Sequence, residues 1–366
     1  MAQRFSVLSP NQRLAWRCIQ AAVFGAGVFI VISLIVRPRL GLDALWNVLV
    51  PIAPALLVVA PGLWRNVCPL GSTALWTRHM GFSARRRLSP KAQGWFALGG
   101  VALLLLIVPL RHVILNTNGP LTGFILLAVG LASIVIGMTF EWKSGWCSGL
   151  CPVHPVEKLY GQRPGLTVAN AHCTECFRCT AVCADSTPSM SPLITPGTLG
   201  HRIAGTLLVG GFPGYVWGWF QVPDSVGLDA RGLAMAFAWP FGGLLATLAL
   251  YLSLRAITGT HAREPLGRAF AAAAVSCYYW FRLPMLVGFG TFAGEGMLID
   301  LRGMAPAWTP LVLRVVSTLF FVWWLVLRAG VRRSWAVRPR YAPGFEPGAN
   351  NGPRGAEVPA VVTVSA

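Results

Sequence analysis

Four cysteines, Cys173, Cys176, Cys179 and Cys183, are separated by two, two and three residues. Two-residue gaps let a short loop present three thiolates to three corners of one cubane, with the fourth following closely; this is a ligand pattern of [4Fe-4S] clusters. Backbone amides in such a loop donate to the cluster sulfurs and tune its potential. Zinc sites instead set two cysteine pairs a dozen or more residues apart. Cys173, Cys176, Cys179 and Cys183 are therefore the predicted cluster ligands, and one-electron transfer is the predicted chemistry.

Three further cysteines, Cys68, Cys147 and Cys151, precede this run, and Cys68-Pro69 and Cys151-Pro152 repeat one dipeptide. They have two readings: a second metal site, or a turn that seats the cysteine loop against the rest of the chain. Two-cluster ferredoxins exchange their fourth ligands, so Cys183 could instead join Cys68, Cys147 and Cys151. Seven cysteines cannot fill eight positions. One complete cluster is the expectation, with Cys68, Cys147 and Cys151 as the candidate second set. Cys18 and Cys277 fall in apolar runs, where a thiol serves as a small hydrophobe.

The elements that must position these residues are apolar. Hydrophobic residues make up 55% of the 366, and charged residues only 11%, less than half the share usual in a soluble domain. Eight runs approach the roughly 20 apolar residues that a spanning helix needs: near 18–36, 44–63, 94–110, 121–140, 203–220, 232–254, 269–290 and 307–327. Arg4, Arg13 and Arg17 precede the first run without a small-residue cleavage site, which predicts a retained helix. Ser9-Pro10-Asn11-Gln12 carries a capping serine, a proline at the first helical position and glutamine at the third. Ser89-Pro90, Thr195-Pro196, Gly119-Pro120 and Glu264-Pro265 mark four more helix starts.

The formal net charge is +18, which in a soluble chain would suggest nucleic acid. Threading eight spans with the amino terminus inside puts 23 of the 30 Lys and Arg residues on one face and five on the other. By the positive-inside rule the rich face is cytoplasmic, so the charge reports topology and anionic lipid rather than nucleic acid. Arg282 and Arg314 lie inside spans, in their outer halves, where snorkelling is the expected solution, with Glu295 and Asp300 as candidate counter-charges. The six histidines form no facing pair at mid-membrane depth, so no b-type haem site is predicted.

Residues 1–140 thus read as four spans enclosing a Cys-Pro loop at 65–93. Residues 141–202 form a cytoplasmic iron–sulfur loop domain, 203–330 four further spans, and 331–366 a disordered cytoplasmic tail. Each long inner segment follows a helix hairpin and opens alike, with Trp64 to Gly71 matching Cys147 to His154; this is the mark of a degenerate internal repeat.

Hairpins followed by Cys-Pro loops and then a four-cysteine loop resemble the membrane polyferredoxins of the NapH and NosR group. The likeness covers roughly residues 18–190 and rests on Cys68-Pro69, Cys147 to Pro152 and Cys173 to Cys183. Trp64 stands where the first C-x3-C-P would have a cysteine, and Ala184 where a proline would follow the loop. The resemblance implies an all-α protein of the bacterial inner membrane. It also implies electron transfer from the quinone pool or a flavoprotein toward a respiratory enzyme or a metal-site maturation partner. A redox-sensing regulatory or assembly protein for a metalloenzyme is the alternative. A transporter would expect a pair of broken helices, which the sequence does not display.

Overall fold

The computed structural model describes residues 8–84, 86, 88–140, 145–172, 197–259, 262–328 and 336–337. Helices dominate: α1 (Pro10–Val36), α2 (Pro38–Val59), α3 (Pro61–Val67), α4 (Pro69–His79), α5 (Pro90–Leu115), α6 (Gly119–Thr139) and α7 (Val153–Tyr160). These are followed by α8 (199–219), α9 (Ala230–Thr258), α10 (Arg263–Leu286) and α11 (Thr309–Leu327). Two short strands, β1 (Val168–Ala169) and β2 (Ala336–Val337), pair in parallel.

Local chemistry sets the helix starts. Ser9 Oγ accepts from the Gln12 amide at 3.2 Å and Gln12 Oε1 accepts from the Ser9 amide at 2.9 Å, a closed capping box. Ser89 caps α5 through the Ala92 amide, and α6 starts at Gly119 under Asn118, whose side chain accepts from the Leu121 amide. The Thr195-Pro196 boundary lies outside the described residues.

Six helices, α1, α2, α5, α6, α9 and α11, are long and apolar enough to cross a membrane. The runs near 203–220 and 269–290 are helical too, as α8 and α10, but are less apolar for a physical reason. The most apolar windows of the six are only 11–44% buried, whereas α10 buries Tyr278, Tyr279 and Arg282, and α8 buries Tyr215 and a series of glycines. A helix surrounded by protein can carry polar groups that a lipid-facing helix cannot.

Tyr279 braces α2 beside its proline. Pro54 lies inside that helix, and the Tyr279 hydroxyl donates to Pro51 O at 2.6 Å while accepting from the Ala55 amide at 2.9 Å. A side chain from a neighbouring helix thus bonds backbone groups on either side of the proline, one way a proline is tolerated inside a packed helix.

Close crossings rest on glycine. A Cβ at Gly243 would fall 2.1 Å from Gly214 O, and one at Gly214 would fall 1.9 Å from Gly243 O, so α8 and α9 touch backbone to backbone. Gly137 of α6 meets Ala74 of α4 in the same way, at 2.0 Å. Gly243→Val is expected to destabilise the protein by about 3 kcal/mol, because backbone cannot yield as a side chain can. Thermal unfolding in detergent, with Gly242→Val as the control, checks this, since a Cβ at Gly242 meets nothing within 4 Å.

Candidate functional site

The two Cys-Pro dipeptides occupy twin turns. Helix α3 ends at Cys68 with φ −56° and ψ 119°, and its amide bonds Trp64 O. A π-helical turn, Trp146–Leu150, ends at Cys151 with φ −62° and ψ 118°, and its amide bonds Trp146 O. A short helix follows each turn, α4 after Cys68 and α7 after Cys151. Matched backbone at the two copies is the structural counterpart of the sequence repeat.

Their depth departs from the sequence reading, which places them in loops beyond the helix ends. A Cβ at Gly27, well inside α1, would lie 3.6 Å from the Pro69 ring, and one at Gly100, inside α5, would lie 2.9 Å from Gly149 O and 3.2 Å from Cys151 O. Both turns therefore insert between the long helices. Irregular backbone at such depth is tolerated where protein covers it, and glycines at the facing positions make the room.

Insertion brings three cysteines together. A Cβ at Gly71 would be 3.7 Å from Cys68 Cβ, 4.0 Å from Cys68 Sγ and 3.8 Å from Cys147 Sγ, and Cys151 shares one buried cluster with Cys147. Cys147 and Cys151 are buried against Ala74 and Trp146, with Leu70, Leu150 and Val153 around them. Among the described residues, however, no group of three or more His, Cys, Asp or Glu side chains is arranged to hold a metal ion. Cys173, Cys176, Cys179 and Cys183 lie outside the described residues. Of the two remaining cysteines, Cys18 is exposed on α1 and Cys277 packs against the main core.

The chain that enters the four-cysteine run is anchored close by. Asn66 Nδ2 donates to Ala169 O at 2.8 Å, Asn66 Oδ1 accepts from the Ala171 amide at 3.1 Å, and Gln20 Nε2 donates to Asn66 O at 2.8 Å. This fastening seats His172 beside Ser72 and Thr73 at the start of α4. On the other side of the segment, β1 pairs with β2 in the register Val168 to Ala336 and Ala169 to Val337.

Buried charge joins the two copies of the repeat. Arg65 Nε donates to Glu157 Oε1 at 2.6 Å, its guanidinium also meets His154 Nδ1, and Lys158 is buried one residue along. Arg65 belongs to α3 and Glu157 to α7, so this ion pair fixes one Cys-Pro turn against the other. Nothing in the sequence spacing signals it, because the partners are 92 residues apart.

A second buried network occupies the opposite end of the bundle. Arg111 grips Asp224 with both terminal nitrogens at 2.7 Å, and its guanidinium lies 5.2 Å from the Trp46 ring and 5.4 Å from the Trp219 ring. His112 Nδ1 is 2.9 Å from Pro223 O, and the Asp224 amide donates to Glu295 Oε2 at 2.7 Å. Burial raises the pKa of the Glu295 carboxyl, partly offset by that amide. Arg282 does not snorkel. It is buried and donates to Trp46 O, Asn47 Oδ1 and Met285 Sδ. Arg314 is the one that lies at the surface, stacked 5.5 Å from the Trp280 ring. Glu295 and Asp300 are engaged elsewhere: Glu295 accepts from the Asp224 amide, while Asp300 binds Arg302, whose hydrogen bonds hold its carboxyl at about 2.

No family model, no curated protein and no solved structure matches this chain.

Proposed function

We propose that this chain is a membrane iron–sulfur electron-transfer protein. Cys173, Cys176, Cys179 and Cys183 hold one [4Fe-4S] cluster on the cytoplasmic face. Electrons pass between a quinol or flavoprotein donor and a respiratory or metal-site maturation partner. The observation that carries the reading is the spacing of these four thiols in a multi-helix membrane protein whose preceding segment, up to His172, is fastened by Asn66 and Gln20. The cluster, when bound, supplies one-electron chemistry; the chain supplies its position and surroundings. Iron and sulfide per chain, with an EPR spectrum of anaerobically purified and reduced protein, test the assignment. About four of each with a [4Fe-4S] signal supports it, and an iron-free protein refutes it.

In this reading α8 and α10 cross the bilayer with the six more apolar helices, giving eight spans. Support comes from their length, about 31 and 36 Å at 1.5 Å per residue, and from their buried positions. Reporter fusions after Ala92 and Pro188 are expected to read cytoplasmic, and fusions after Thr117 and Asp229 external. The opposite signal at Pro188 alone would separate the two cysteine segments and sink the arrangement.

One observation favours a second reading, a transporter. The paired interrupted helices around Cys68 and Cys151 are the feature by which duplicated transporters build sites within the bilayer. Substrate-dependent flux by iron-free protein in liposomes would favour it over electron transfer.

A further inference from the structure

The segment that joins α10 to α11, residues 287–308, carries Leu298, Ile299, Met304 and Trp308 on its surface, with Met304 86% and Ile299 62% exposed. Backbone bonds fix their height. The Leu298 and Ile299 amides donate to Leu286 O at 2.9 and 3.1 Å, and the Leu301 amide donates to Val287 O at 3.2 Å, so the segment folds back onto the end of α10. The Met304 and Ala305 amides then donate to Leu301 O at 3.0 and 2.8 Å, and the Thr309 amide to Pro306 O at 3.0 Å. Leu298 and Ile299 are thus held level with the end of one helix, and Trp308 adjoins the start of the next.

The next helix, α11, is long and apolar enough to cross a membrane, so Trp308 lies where it leaves the bilayer, the usual depth of interfacial tryptophans. Leu311, Val312, Val315 and Val316 are exposed three, four, seven and eight residues after Trp308, which is the spacing of a single helix face. The patch on the loop and the lipid-facing stripe of α11 therefore meet at Trp308 with no polar break. A docking site for a soluble protein has a polar rim instead.

Charge in the segment is neutralised locally. Arg302 Nε and one terminal nitrogen donate to the two carboxylate oxygens of Asp300 at 2.9 and 2.6 Å, although both side chains are about half exposed. Such a pair contributes little in water, but it leaves neither charge unmatched where water is scarce. Glu295 is turned inward, accepting from the Asp224 amide at 2.7 Å.

We propose that residues 298–308 anchor this end of the bundle in the bilayer surface. Leu298, Ile299, Met304 and Trp308 insert at the boundary between headgroups and acyl chains, and Asp300 and Arg302 stay paired among the headgroups. The partner is a neutral phospholipid surface, because the Asp300–Arg302 pair has no net charge with which to select an anionic lipid. The anchor does not depend on the electron-transfer reading.

The test uses the full chain in phosphatidylcholine nanodiscs, with p-acetylphenylalanine replacing Ile299 or Met304 and carrying a nitroxide, so that the native cysteines remain. Each labelled protein is matched to the wild type in apparent Tm, and Met304, the more exposed position, decides if the label at Ile299 disturbs the fold. EPR power saturation should show oxygen collisions exceeding those of a water-soluble nickel chelate by about fivefold, for burial on the order of 5–10 Å into the boundary. Adding phosphatidylglycerol should leave the value at Met304 unchanged in the otherwise native chain and change it in Asp300→Asn, where Arg302 is unmatched. Free access of the chelate to Met304 would put the segment in water and overturn the proposal. Low access of both oxygen and chelate would mean that protein covers the patch, and dipolar broadening between spins would identify the cover as a second copy; either result overturns it too. A response to phosphatidylglycerol without Asp300→Asn would overturn the neutral-surface assignment.

Discussion

Cys176→Ser should strip the protein of essentially all its [4Fe-4S] signal while leaving the helices assembled. Serine offers iron a hydroxyl in place of a soft thiolate, and thiolate ligands are what iron–sulfur clusters select. The described bundle is held by glycine crossings, buried tyrosines and ion pairs at other positions, which the substitution leaves in place. Iron should fall from about four atoms per chain to near zero, with an unchanged size-exclusion profile. Cys277→Ser, at a thiol packed against Tyr-rich core, should leave iron untouched. Replacing Cys68, Cys147 and Cys151 together by alanine addresses the candidate second set. Iron near four before and after assigns these thiols to packing, and a drop toward half from about seven or eight assigns them to a second cluster.

The largest effect on stability is expected at Asp224. It is gripped bidentately by Arg111, both partners are buried, and the arginine is walled by Trp46 and Trp219. Asp224→Ala leaves a buried guanidinium without its counter-charge, a change that costs about 3–5 kcal/mol where it has been isolated. It also removes the tie from α5 to the segment between α8 and α9, though not the Asp224 amide contact to Glu295, which is backbone. The apparent Tm in detergent should fall by many degrees for Asp224→Ala and by distinctly less for Asp224→Asn, which keeps an acceptor for Arg111. Equal, small shifts for both would show the pair to be solvated. Glu157→Ala tests the matching pair with Arg65 at the other end.

What was legible in the sequence was local. Ser9 and Gln12 announce the start of α1 because a capping box is complete within four residues, and the Cys-Pro repeat is visible because its two copies share one backbone turn. Depth was not legible. An apolar run followed by Cys-Pro looks the same whether the chain leaves the bundle or folds back into it, and only the facing Gly27 and Gly100 distinguish the cases. Arg282 misled because hydropathy marks an intramembrane arginine without naming its partners, which are on α2 some 235 residues away. The Arg111–Asp224 pair escaped for the same reason, since it joins a helix end to a distant loop. The four predicted ligands stand on their spacing.

The polar character of α8 and α10 has a consequence for biogenesis. Helices such as α1 and α6 are apolar enough to partition into lipid one at a time as they leave the ribosome. Arg282 of α10 finds its acceptors on α2, and Tyr215 of α8 donates to Leu105 O of α5 at 2.6 Å, so each late helix meets groups already delivered by the amino-terminal half. For α8 and α10 the earlier helices thus supply hydrogen-bond acceptors, and synthesis order, running from α1 to α11, is the order in which those acceptors become available.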